Sequence, residues 1–396
     1  MEGKLFIRTM RLQNLLSYGD ENEEIELQPM NVLIGANASG KSNLIEAIGL
    51  LKATPTDLTA PIRKGGGVSD LLWKGQKEIP TAKIEATIDY PEGLMPLRYR
   101  MGLTVVGQKP ELVDETVENE RSYPGEADVY FYYRYQQGRP VLNIKNPSDG
   151  QRSQRSLRRE DLSLDQSVLS QRKDPDQYPE LTYLGNQFSQ ISLYRDWHIG
   201  RDSEPRLPQK ADLPEHPLLE DGSNLGLVLN NLQYQVGSRA IIDKLKAFYQ
   251  EAEELSVKIY GGTVQIFIRE EGLIQPIPAT RLSDGTLRYL FLLALLLDPT
   301  PPPLICIEEP EIGLHPDMMS TIADLLVEAS ERTQLIVTTH SEALVSSLPP
   351  ESVLVCERDY RGTHLRRLNP ERLKKWLENY SLGELWSMGE IGGTRW

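Results

Sequence analysis

Cysteine is scarce in this sequence, with only Cys306 and Cys356 among 396 residues. Neither has another cysteine or a histidine at metal-ligand spacing, which argues against a structural zinc site. Reduced thiols fit a cytoplasmic location. Long apolar runs are also missing: the longest, residues 289–297, falls well short of the ~20 residues that cross a bilayer. No membrane partner is expected. Residues 1–8 interrupt their apolar run with charge at once, so no secretory leader is expected either. Positive charge is in deficit, 43 Lys and Arg against 57 Asp and Glu, for a net charge of −14. A chain that acidic does not coat nucleic acid indiscriminately; any such contact must use a local basic patch. No internal repeat and no long heptad run occurs, which leaves no coiled-coil arm.

What is present supports a folded core. Hydrophobic residues make up 39% and charged residues 25%, a mix that argues against global disorder. The length suggests two or three domains. Residues 30–34 form a short apolar strand that runs into a glycine, and a helix with Leu44, Ile45, Ala47, Ile48 and Leu51 on one stripe follows. Residues 55–80 are loop-rich. Residues 81–146 alternate with period two and predict an antiparallel meander, with the acidic stretch 111–120 as a solvated loop. Residues 160–257 predict mainly helix, with good helical spacing over 240–257. Strands return at 263–268. Residues 287–297 and 318–329 predict helices, and residues 304–307 and 335–338 predict buried strands. That alternation implies a parallel sheet with helices on both faces. The expected fold is therefore α/β: a mostly parallel sheet flanked by helices, an antiparallel β-subdomain, and an inserted helical lobe. Residues 1–150 and 262–396 would form one discontinuous lobe, and residues 151–261 the helical lobe.

Four constellations carry chemistry. Gly35, Ala36, Asn37, Ala38, Ser39, Gly40, Lys41 and Ser42, followed by Asn43, sit between a strand and a helix. This is a complete phosphate-binding loop in its required context. Its glycines let backbone N–H groups close around phosphate oxygens, and the helix N-terminus adds partial positive charge. Lys41 is expected to reach the β- and γ-phosphates of ATP, and Ser42 to bind Mg²⁺. Second, the strand at 304–307 ends in Glu308 and Glu309. A buried strand has no structural need for adjacent acids. Neighbours on a strand face opposite sides, so Glu308 is assigned to the Mg²⁺ shell and Glu309 to polarising the attacking water. Third, His340 follows the strand 335–338, so three strands deliver chemistry at their carboxyl ends, where open parallel sheets bind ligands. His340 is expected to sense the γ-phosphate. Fourth, Ser283, Asp284 and Gly285 open an apolar helix. Ser283 is suited to cap it, and Gly285 in the first turn exposes N–H groups as a second anion site. One chain already has a loop for its nucleotide, so this second site points to a nucleotide held by another subunit.

Together these residues resemble the ABC-type ATPases. The order matches: phosphate loop at 35–42, signature at 282–286, acidic strand at 304–309, a turn at 311–316 similar to the D-loop, and a switch histidine at 340. The stretches Gly-Ala-Asn-Ala-Ser-Gly-Lys-Ser-Asn, Glu-Glu-Pro-Glu-Ile-Gly-Leu-His-Pro and Thr-Thr-His-Ser are similar to the soluble RecF/SMC/OLD-like branch. The resemblance covers residues 4–95 and 262–357. It implies an ATP- and Mg²⁺-dependent ATPase that works as a head-to-tail homodimer. Ser283 and Gly285 of one chain would meet the nucleotide bound by Gly40, Lys41 and Ser42 of the other. It also implies a hinge glutamine between lobes, for which Gln171 is the choice over Gln166. Departures accompany it. Glu308 stands where Asp is usual, which predicts slow turnover. Leu16 stands where many relatives carry a basic residue, leaving Arg8 or Arg11 as substitutes.

Two roles follow for such a switch. One is DNA repair or maintenance, or defence against mobile elements, with nucleic acid bound through the basic stretch from Arg134 to Arg159. The other is regulation of a separately encoded nuclease or toxin, since only 56 residues follow His340 and they leave no room for a nuclease domain. The 241 positions from Ser42 to Ser283 are too many for the compact ATPase subunit of a transporter.

Overall fold

The computed structural model describes residues 3–393 apart from 22, 137, 146–151 and 159–160. Its functional ends are set by a six-stranded sheet. The strand order is Ser192–Tyr194, Leu304–Glu308, Gln334–Thr338, Met30–Ile34, Val353–Asp359 and Gly362–Arg367. Neighbours run parallel except for the last pair, a hairpin. The inner strands are apolar runs because both faces are covered, as parallel sheets require. Every residue of Met30–Ile34 and Gln334–Thr338 is buried. Register decides where the chemistry sits. Glu308 lies opposite Thr338, and Thr338 opposite Leu33, so three strands end at one level beside the phosphate loop.

Helices cover both faces. The helix Lys41–Ala53 buries Leu44, Ile45, Ala47, Ile48, Leu50 and Leu51. On the other face lie Asp284–Leu296 and Met319–Ser330. From Thr286 to Leu296 the former is buried on every side, which explains its all-round apolar sequence.

An eight-stranded antiparallel sheet packs over the helix Lys41–Ala53. Its order is Glu24–Glu26, Ile7–Gln13, Ala82–Ile88, Leu97–Val106, Lys109–Asn119, Phe131–Gln136, Arg139–Lys145 and Arg152–Ser156. The expected meander is therefore present and extends to the first strand of the chain. The acidic stretch 111–120 is not a solvated loop. Most of it is the strand Lys109–Asn119, and Glu115 and Glu118 are buried. Their carboxylates have partners: Glu115 accepts from Tyr99 at 2.7 Å and from the Val168 N–H at 2.9 Å, and Glu118 pairs with Arg98 at 2.7 Å.

The segment 151–261 carries the helices Val168–Gln171, Pro179–Ser189, Leu225–Leu232 and Ser238–Lys246. The helix expected over 240–257 ends at Lys246, and Ala252–Tyr260 is a strand paired antiparallel with Thr263–Glu270. The β-branched and aromatic run Val257, Ile259, Tyr260 favours the ladder over continued helix. Among the described residues, no helix is long and apolar enough to cross a membrane.

Candidate functional site

The phosphate loop is shaped by contacts from distant strands. Gly40 has φ of 107°, and a Cβ there would lie 2.3 Å from Thr363 Oγ1. A Cβ on Gly35 would lie 2.2 Å from the Cys356 carbonyl. Only glycine fits either position. Thr363 donates to the Ser39 carbonyl at 2.8 Å and bonds Ser17 Oγ at 2.7 Å. Asn43 Nδ2 reaches Ser17 Oγ at 2.6 Å. The hairpin of Val353–Asp359 and Gly362–Arg367 thus braces the loop from below. Above it, Ala36–Ser39, Cys356–Asp359 and Gly393 border an opening of about 650 Å³. Asn37 and Ala38 are exposed there, and Ser42 is exposed at the start of the helix. The helix begins with no side-chain cap at Gly40; the Asn43 N–H already donates to the Gly40 carbonyl at 3.1 Å, which leaves the amides of Lys41 and Ser42 for an anion.

Lys41 is buried and curls over the loop, with Nζ donating to the carbonyls of Gly35 and Ala36 at 2.9 Å each. Burial pushes its pKa down, while Cys356 and Glu309 oppose that shift. An anionic partner would restore what burial removes.

The two carboxylates part, but Glu309 lies just past the strand Leu304–Glu308, so strand alternation does not set its direction. Glu308 turns to a cavity that also meets Glu46, Gly49 and Ala53, the stripe one to three turns below Ser42 on the same helix. Burial raises its pKa, and Arg195 counters by a 3.0 Å bond to Oε1. Glu309 turns the other way and lies 3.7 Å from His340 Nε2. Its φ is 48°, a left-handed value that glutamate seldom adopts. Such strain at a site is held by its surroundings; here the Glu309 N–H donates to the Thr338 carbonyl at 2.9 Å.

Glu311, which sequence marked only as the start of a turn, fixes the switch segment. Its Oε1 accepts from Thr339 Oγ1 at 2.7 Å and from the His340 N–H at 2.8 Å. Its Oε2 is buried without a hydrogen-bond partner, as is Arg288 Nη1 on the signature helix. Burial raises the Glu311 pKa and lowers that of Arg288, where the charges of Asp284 and Glu311 oppose the shift.

Ser283 caps the helix Asp284–Leu296, accepting from the Thr286 N–H at 3.0 Å, and remains exposed. Gly285 is half-buried; a Cβ there would lie 3.2 Å from the Gly313 carbonyl. The signature therefore rests on the turn that carries Glu311. Buried Arg206 holds it from behind, bonding the Leu282 carbonyl at 2.6 Å and pairing with Asp284. Nothing local to residue 206 marks this role in the sequence.

Gln171 is not brought to the cluster. Its amide bonds the main chain of Ser163 and Gln166, and Gln166 bonds Leu58 and Asp57. Arg195 follows the strand Ser192–Tyr194 that pairs with Leu304–Glu308. Arg8 pairs with Asp89 at 2.6 Å and Arg11 with Glu24 at 2.8 Å. The basic side chain beside the loop is Arg358, with Nη1 3.4 Å from the Ala38 carbonyl. In the basic stretch, Arg134 lies 3.5 Å from Glu118 and over the Phe131 ring, while Arg155 and Arg158 are exposed. Arg159 and the side chains of Lys145 and Arg152 lie outside the described residues.

With this geometry in place, residues 30–346 match the family model described as "AAA domain, putative AbiEii toxin, Type IV TA system". The chain is 28% identical over 204 residues to the DNA replication and repair protein RecF of Staphylococcus haemolyticus, covering 47% of this chain and 51% of that protein. It is 22% identical over 392 residues to the Old nuclease of Escherichia phage P2, covering 90% of this chain and 60% of the nuclease. The chain thus spans about half to three fifths of these relatives. The fold is similar to an Smc head domain bound to the C-terminal domain of ScpA derived from Pyrococcus furiosus, with a TM-score of 0.56 at 14% identity over 94% of this chain and 98% of that one.

Proposed function

Since the chain belongs to this AAA domain family, as an ABC-type ATPase of the RecF/SMC/OLD branch, we infer that it binds and hydrolyses ATP as a switch between monomer and head-to-tail homodimer. The observation that carries this inference is the meeting of Glu309 and His340 at 3.7 Å beside the shielded Lys41.

The residues fit the nucleotide: a helix N-terminus without a side-chain cap, a buried lysine, and two glycines where any Cβ would collide. Lys41 would neutralise phosphate charge, and the amides of Lys41 and Ser42 would line the phosphate chain. Ser42 and Glu308 would hold Mg²⁺, which supplies charge neutralisation between the β- and γ-phosphates. Glu309 would orient a water and take its proton; His340, whose main-chain N–H donates to Glu311, would face the γ-phosphate. Ser283 and Gly285 are exposed enough to complete a partner's site. The Arg195 bond to Glu308, and glutamate in place of aspartate, favour slow turnover.

Glu309→Gln tests this. The variant should bind ATP, lose hydrolysis by at least about a hundredfold, the low end for a general base, and accumulate as a dimer on gel filtration with ATP. Full turnover in Glu309→Gln would sink the assignment. The relatives' names favour service to DNA repair or to defence, and the exposed Arg139, Arg155 and Arg158 would contribute to a nucleic-acid contact. Salt-sensitive DNA binding stimulated by ATP supports that role; recovery of a separately encoded effector with trapped Glu309→Gln supports the regulatory one.

A further inference from the structure

The carboxylate assigned to the metal already holds a cation. Arg195 follows the strand Ser192–Tyr194, whose Tyr194 is registered opposite Ile307. The sheet itself therefore sets Arg195 level with Glu308. Its Nε donates to Glu308 Oε1 at 3.0 Å. The arginine side chain is 34% exposed and the glutamate 18%. Two residues on, Trp197 Nε1 donates to the Glu308 main-chain carbonyl at 2.5 Å. The Trp197 ring also carries the Arg288 guanidinium at 4.9 Å and meets Phe291 edge-on at 5.3 Å. The backbone around Arg195 is thus anchored to the acidic strand and to the signature helix without help from the guanidinium. Arg195 can let go of Glu308 while its segment stays docked.

Two cations on one carboxylate oxygen repel at short range. From this geometry we propose that Arg195 is a built-in competitor for the metal carboxylate, holding Glu308 in the nucleotide-free chain and giving it up when the divalent cation arrives with nucleotide. The inference rests on Glu308 as the metal residue. It makes Arg195 a positioning residue that sets metal affinity.

The test measures Mn²⁺ binding to the full chain in saturating ADP, with free Mn²⁺ read by electron paramagnetic resonance. Losing a partly exposed ion pair should tighten Mn²⁺ binding to Arg195→Ala about fivefold. Arg195→Lys, which keeps the charge, should stay near wild type. Arg195→Gln, which keeps most of the stem, stands in if Arg195→Ala fails to fold. Glu308→Gln separates the two levels. If Glu308→Gln loses Mn²⁺ but neutral variants at 195 bind it no more tightly than wild type, Arg195 is not a competitor and the proposal falls. If Glu308→Gln binds Mn²⁺ like wild type, the metal assignment itself is wrong and the proposal falls with it.

Discussion

Glu311 illustrates how much one buried carboxylate can organise. One oxygen ties Thr339 and the His340 amide, and the other has no hydrogen-bond partner near an arginine nitrogen that has none. An unsatisfied buried charge is costly, and such costs persist where function needs them. Glu311→Gln keeps the acceptor for Thr339 and the His340 N–H and removes the buried charge, so folding should survive. Loss of the charge that sets the switch segment should lower the hydrolysis rate about tenfold, as for other supporting residues around a reactive centre, while ATP affinity stays within about twofold. Single-turnover hydrolysis and nucleotide titration together check this; an unchanged rate would show that Glu311 only supports the fold.

Among the elements, the strand Lys109–Asn119 and the short helix Val168–Gln171 are joined by Glu115. Its carboxylate takes bonds from Tyr99, Ser167 and the Val168 N–H. Burial holds its pKa above the ordinary carboxyl value despite those donors. The folded chain therefore binds a proton here more readily than the unfolded chain does. That contribution to stability is complete below the unfolded pKa and fades as pH rises through the folded one. Thermal midpoints measured from acid to neutral pH should fall less steeply in Glu115→Gln than in wild type, and an identical slope would exclude Glu115 as the source. The same strand shows what sequence conveyed. The phosphate loop was legible because strand, loop and helix are contiguous and each residue type is demanded locally. The acidic composition of 111–120 suggested a loop because the partners that bury Glu115 and Glu118 come from other strands and a later helix. Residues 252–257 fitted helical spacing, and only pairing with Thr263–Glu270 makes them a strand. Arg195, Arg206 and Thr363 were silent for the same reason: their partners Glu308, Asp284 and Ser39 lie 113, 78 and 324 positions away.

For the whole molecule, the consequential contact is the one between Gly285 and the turn at Gly313. That turn begins at Glu311, which holds the His340 segment, and Gly285 belongs to the surface proposed to complete a partner's nucleotide site. In a dimer, each nucleotide would thus be sensed at both catalytic centres. ATP dependence should be collective, with a Hill coefficient above one and at most the two sites present. Mixing Lys41→Ala with wild-type chain offers a direct check. If the two sites work independently, activity declines in proportion to the mutant fraction. If they work as one, only pairings of two intact chains count, and activity falls with the square of the wild-type fraction. A small packing contact between two glycines would then appear in the kinetics as a dominant-negative dose curve.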